Sequence, residues 1–93
     1  MIRIKVKFFG PFRDVFGGRE LELDLPADAR LRELLRRVGD TPDREKQIFA
    51  GAGVLHPHVV IMKNGTLVHG RDGLASSLQN GDIIAIFPFL GGG

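Results

Sequence analysis

The stretch that decides the fold is Ile2-Arg3-Ile4-Lys5-Val6-Lys7-Phe8, followed by Glu20-Leu21-Glu22-Leu23-Asp24-Leu25 and then by Leu31-Arg32-Glu33-Leu34-Leu35-Arg36-Arg37-Val38. In the first segment apolar and basic residues alternate, which is the pattern of a half-buried strand. In the second, after a turn marked by Gly17-Gly18, leucines alternate with acids. The acidic outer face of this strand is placed to pair across with the basic outer face of the first. The segment Phe9 to Phe16 between them is long for a tight turn and leaves the register of the pair open. Pro26 ends the second strand. Leu31, Leu34, Leu35 and Val38 then recur at helical spacing up to Gly39, which suits a C-terminal cap. Arg36 and Arg37 fall in the last turn, where the helix dipole favours cations, and need no further role.

Working outward, Thr41 and Pro42 are suited to cap and open a second short helix reaching Phe49. Gly51-Ala52-Gly53 opens a loop. Val59-Val60-Ile61-Met62 reads as a buried strand, turned back at Asn64-Gly65 toward Thr66-Leu67-Val68, the strongest hairpin signal in the chain. Leu74 and Leu78 imply a short packed turn before Asn80-Gly81-Asp82. Ile83 to Phe87 then forms a last strand that Pro88 is expected to interrupt. Two strands, a crossover helix and further strands can close into one mixed sheet with the helix on one face and the last strand beside the first. That is an α+β fold of the β-grasp, or ubiquitin-like, kind. Residues 1–88 are expected to form the domain, and residues 89–93 a flexible glycine-rich tail.

Composition narrows the function. A chain of 93 residues has room for one modest core, so a cleft enclosing a substrate would have to be shared with a partner. An apolar fraction of 43% and a charged fraction of 26% are those of a folded globular protein. The net charge of +2 is small and its charges are interspersed, which argues against direct nucleic-acid binding. The absence of cysteine excludes disulfides, thiolate metal sites and a cysteine nucleophile. Met1 leads directly into strand residues and no apolar run approaches the length of a membrane span, so no membrane association and a cytoplasmic location are expected.

The C-terminal pattern Gly81-Asp82-Ile83-Ile84-Ala85-Ile86-Phe87-Pro88, followed by Gly92-Gly93, resembles the MoaD/ThiS family of ubiquitin-like sulfur carriers and the related archaeal small modifier proteins. Val6-Lys7-Phe8-Phe9 and the stretch from Leu55 to Gly65 are similar to the same family, so the resemblance covers nearly the whole chain. It implies a carrier rather than an enzyme, at most the small non-catalytic subunit of molybdopterin synthase. The Gly93 carboxylate would be adenylated by a MoeB/ThiF-like activating enzyme that uses ATP and Mg, the carrier itself binding no cofactor or metal. Gly93 would then become a thiocarboxylate for sulfur transfer, most simply to molybdopterin in a MoaE-like large subunit. The alternative is a modifier joined through Gly93 to lysines of substrate proteins.

The activation that the resemblance implies places physical demands on the tail. A terminal carboxylate is ionised at neutral pH and becomes an electrophile only when activated. To reach another protein's site it must thread a narrow channel, which Gly92 and Gly93, lacking Cβ atoms, permit. Phe89 stands where the family often has a second proline, making the tail bulkier, and Gly91 replaces a small polar residue, making it more flexible. Phe87, Pro88, Phe89, Leu90 and Gly91 are candidate partner-binding residues, with Phe9 or Phe12 beside them. Phe87 is expected to belong to the core, while Phe89 and Leu90 could equally dock a partner or cover the open end of that core.

Other signals have simpler readings. His56 and His58, with His69 nearby, could be imagined as a zinc site, but no cysteine joins them and Pro57 implies a solvated loop. Gly51-Ala52-Gly53 lacks the remainder of any phosphate-binding fingerprint. Ser76 and Ser77 have no patterned catalytic partner. Lys5, Lys7, Lys46 and Lys63 are attachment points only in the sense that any exposed lysine is.

Overall fold

The computed structural model describes residues 1–51, 53–68 and 73–89. The chain runs β1 (Ile2–Phe8), α1 (Phe12–Val15), β2 (Glu20–Leu25), α2 (Leu31–Val38), α3 (Pro42–Ile48), β3 (Phe49–Gly51), β4 (Val54–Leu55), β5 (Val59–Lys63), β6 (Thr66–Leu67) and β7 (Ile83–Pro88). Five strands form one sheet in the order β2-β1-β7-β5-β6, and β3 and β4 pair separately. The last strand lies parallel to the first, with Val6 opposite Ile84 and Phe8 opposite Ile86, while the other neighbours are antiparallel. This is the β-grasp arrangement that the strand and helix pattern calls for.

The alternation in β1 and β2 sets their register. Ile4 faces Leu23 and Val6 faces Leu21 toward the helices, and Arg3, Lys5 and Lys7 face Asp24, Glu22 and Glu20 on the outer surface. Arg3 donates from Nε to Asp24 Oδ1 at 3.0 Å and lies 3.8 Å from Glu22. The guanidinium, chiefly through that hydrogen bond, holds the Asp24 carboxyl below its ordinary value, and Asp24 in turn raises Arg3. A one-residue slip would send every leucine of β2 into water.

Helix α2 covers the inner face of the sheet. Leu31, Leu34, Leu35 and Val38 are buried against Ile4, Val6, Phe8, Ile61, Ile84 and Ile86. Full burial of each such aliphatic side chain is worth about 1.5–3 kcal/mol, so this stripe carries much of the fold. The helix starts where the Glu33 carboxylate accepts the Arg30 N–H at 3.0 Å, and it stops at Gly39, whose N–H donates to Leu35. Thr41 caps α3 by accepting the Arg44 N–H at 3.1 Å. That helix ends at Ile48, one residue earlier than its sequence signals imply, because Phe49 turns extended and begins β3.

The long connection between β1 and β2 contains a helix that strand alternation does not reveal. Phe12 and Phe16, one turn apart on α1 and its C-cap, close the end of the core, with Phe16 stacked on Phe8 at 4.7 Å and edge-on to Phe12 at 5.7 Å. Arg44 ties α3 to α1 by donating from Nε to Val15 O at 2.9 Å. At the Asn64-Gly65 turn both residues have positive φ, 51° and 83°, as a type I′ hairpin requires. Among the described residues no helix is long and apolar enough to cross a membrane.

Candidate functional site

The expected site is the end of β7 and the tail beyond it. Leu90, Gly91, Gly92 and Gly93 lie outside the described residues, as does His69. Phe87, Pro88 and Phe89 are described, and two of the expectations about them change.

Pro88 does not interrupt the last strand. Val59 pairs with Pro88, and the Phe89 N–H donates beyond it to His58 O. The reason is which way the missing donor points. Ile83 and Phe89 exchange hydrogen bonds with the β5 side, whereas Ile86 O accepts from Phe9 N–H on the β1 side at 3.2 Å. Alternate residues of a strand address opposite neighbours, so the absent N–H of Pro88, like that carbonyl, faces β1. There β1 has already ended, and Gly10 turns the chain away at φ 58°, where an added Cβ would sit 3.4 Å from Pro88 Cγ. The proline therefore occupies a position with no ladder partner to lose, and the root of the tail is fixed on β5 as far as Phe89.

Phe87 is not a core residue. Ile84 and Ile86 point inward and are buried, and Phe87 takes the opposite side of the strand with Ile83 and Ala85. There it stacks on Phe9 at 4.4 Å with 15° between the ring planes, and the Arg13 guanidinium lies 5.7 Å from the centre of the Phe9 ring. Arg13 is held in place by donating from Nε to Phe8 O at 3.2 Å. Val60 and Met62 of β5 pair with Phe87 and Ala85, so their side chains continue an apolar stripe across the outer face. Ile83 is 39% exposed and Leu67 44% exposed along it, and Phe89 is 55% exposed at the tail root. The stripe is bordered by the charge ladder of β1 and β2.

On the other side of the tail root, Pro88 and Phe89 line a groove with Pro11, Phe12, Gln47, His56 and His58. The two imidazoles lie 4.8 Å apart. Among the described residues no three histidine, cysteine or acidic side chains gather as a metal site.

The origin of β7 is held by a polar clamp. Asn64 Nδ2 donates to Asp82 Oδ1 at 2.9 Å, Gln79 N–H donates to Asp82 Oδ2 at 2.8 Å, and Ile83 N–H donates to Asn64 Oδ1 at 2.9 Å. Asp82 is the buried charged residue of the described chain, and these bonds satisfy both its oxygens. The Gly-Asp at the head of the last strand is thus a positioning device, which fixes the start of β7 between β1 and β5.

The ThiS family model matches residues 6–93. The chain belongs to the ThiS family. This ThiS-family chain is 32% identical over 92 residues to small archaeal modifier protein 3 of Haloferax volcanii, across 99% of this chain and 100% of that relative. Its fold superposes on the crystal structure of small archaeal modifier protein 1 from the same organism with a TM-score of 0.82 at 29% identity, covering 98% of this chain and 99% of the other. A putative molybdopterin converting factor subunit 1 from Pyrococcus furiosus superposes with a TM-score of 0.76 at 31% identity, covering 95% and 98%. The ThiS-family chain is thus a ubiquitin-like protein of the sulfur-carrier and modifier group, which is generally non-catalytic.

Proposed function

We propose that this chain is a sulfur carrier whose Gly93 carboxylate is the reacting group, and that its sulfur goes to the molybdopterin precursor. The observation that carries the reading is that the family match runs to Gly93, while the described strand β7 is held by β1 as far as Ile86 and by β5 as far as Phe89. The Gly93 carboxylate attacks the α-phosphate of ATP within an adenylating enzyme of the MoeB/ThiF kind, with Mg on the phosphates, and pyrophosphate leaves. A sulfur donor then displaces AMP from the acyl-adenylate to give the thiocarboxylate. This chain contributes the nucleophilic carboxylate, a narrow Gly92-Gly93 terminus, and a docking face. The face is the outer stripe of Phe87, Val60 and Met62, with Phe89, Leu90 and Gly91 contacting the enzyme behind the leading Gly92-Gly93.

The choice of acceptor is supported by the Pyrococcus furiosus relative, whose name makes it one subunit of a molybdopterin converting factor. On this reading a MoaE-like large subunit receives the tail, and the same sheet face serves both partners in turn. A second reading is favoured by the relative named a modifier protein, in which the activated Gly93 acylates a lysine of another protein. Both share the adenylation step. The separating experiment supplies the purified chain with ATP, Mg, the activating enzyme and a sulfur donor, then offers the thiocarboxylate to the large subunit with pterin precursor, or offers the adenylated chain to cell protein. Dithiolene formation supports the first reading, and isopeptide-linked Gly93 the second.

A further inference from the structure

His56 joins the end of α3 to the root of the tail. Its backbone N–H donates to Ile48 O at 2.7 Å, its carbonyl accepts the Val59 N–H at 3.0 Å, and its ring Nδ1 accepts the His58 N–H at 3.2 Å. The His58 carbonyl in turn accepts the N–H of Phe89, the last described residue before the tail. The turn that presents this carbonyl is therefore closed twice, by the Val59 N–H on His56 O and by the His58 N–H on the His56 imidazole. We propose that His56 is a proton-sensitive positioning residue for the tail root. When neutral it tightens the turn and the hold of β5 on Phe89, and when protonated it weakens both.

The chemistry follows from one nitrogen. An imidazole nitrogen accepts a hydrogen bond only when it carries no proton, so His56 has its hydrogen on Nε2. Protonation makes Nδ1 a donor that faces another donor, and the His58 N–H loses its acceptor. The surroundings offer little to counter this. Around the groove, the start of α1 supplies Phe12 and its cap Pro11, α3 supplies Gln47, and the end of β7 supplies Pro88 with Phe89 after it. None of these titrates. His58, whose ring lies 4.8 Å away, is the other ionisable group lining the groove among the described residues, and its protonation adds a like charge. Acidification therefore loosens the root at Phe89, while neutral pH fixes it. This consequence rests on the tail being the reacting segment, but the latch itself does not.

The test is amide hydrogen exchange at Phe89, followed by NMR on the isolated chain from about pH 5 to about pH 8, the span in which imidazoles change charge. Rates are corrected for the intrinsic pH dependence of exchange. The expected result is a loss of Phe89 protection of roughly threefold to tenfold on the acid side, the size of one hydrogen bond. His56→Asn, whose Oδ1 accepts at every pH, should keep the protection and flatten the profile. His56→Ala should lack it throughout, and His58→Gln should retain the pH dependence. A wild-type profile with no pH dependence, or a dependence that survives in His56→Asn, overturns the proposal. No activating enzyme is present, so failure here is distinct from failure of the carrier reading.

Discussion

Phe87 and Phe9 stack face to face at 4.4 Å on the solvent side of the sheet, where two neighbouring strands would ordinarily carry polar side chains. An aromatic pair turned away from the core covers little of the protein's own interior and is available to another surface. Its coupling in a double-mutant cycle, read by denaturant unfolding of Phe9→Ala, Phe87→Ala and the double variant, should be about 0.5–1.5 kcal/mol. With the activating enzyme, Phe87→Ala should raise KM and leave kcat near wild type. An unchanged KM would remove this face from the docking surface.

Asn64→Asp should be among the more damaging changes at an exposed position. It replaces the amide that donates to Asp82 with a carboxylate facing a buried carboxylate, and leaves Asp82 Oδ1 without its donor. The expected loss is about 1–3 kcal/mol in chemical denaturation at neutral pH. A variant as stable as wild type would show that the clamp has no part in holding β7.

How much of this was legible in sequence differs by element. The β1–β2 pairing, α2 and the Asn64-Gly65 hairpin follow from alternation, helical spacing and a two-residue turn signal, all local. Helix α1 is hidden in the sequence because Phe8, Phe9, Phe12 and Phe16 look like strand residues interrupted by Gly10-Pro11, although Phe12 and Phe16 have one-turn spacing. The little β3–β4 pair is too short and too glycine-rich to leave a pattern. Pro88 and Phe87 depart from the sequence expectation for one reason: the direction of a missing N–H and the face of a side chain depend on which strands lie to either side. That register is long-range. The His56–Phe89 connection is equally non-local, and the role expected of Gly92 and Gly93 rests on resemblance and position.

Leu34→Ala tests whether α2 is the main cover of the sheet. Leu34 is fully buried in the core, so the variant should lose about 2–5 kcal/mol with little change in the steepness of unfolding. A loss below that range would mean that α2 packs loosely on β1 and β7.

Asp24 gives a pH signature of small size. Its carboxyl is held below its ordinary value by Arg3, so its contribution is complete above the unfolded carboxylate pKa and is lost as pH falls through the lower folded one. Asp24→Asn should therefore be slightly less stable than wild type at neutral pH, and the two should converge in acid. Because the pair is exposed, salt should reduce the difference as well. Convergence at high pH instead would contradict the assignment.

The measurement closest to the central claim is the intact mass of the chain, with peptide assignment of Gly93, after incubation with ATP, Mg, an adenylating enzyme and a sulfur donor. The account predicts a species heavier by one sulfur-for-oxygen exchange, located at Gly93 and absent when Gly92-Gly93 is deleted from a chain that still folds. An unmodified Gly93 carboxylate under those conditions, with the enzyme shown to be active on its own carrier, would contradict it.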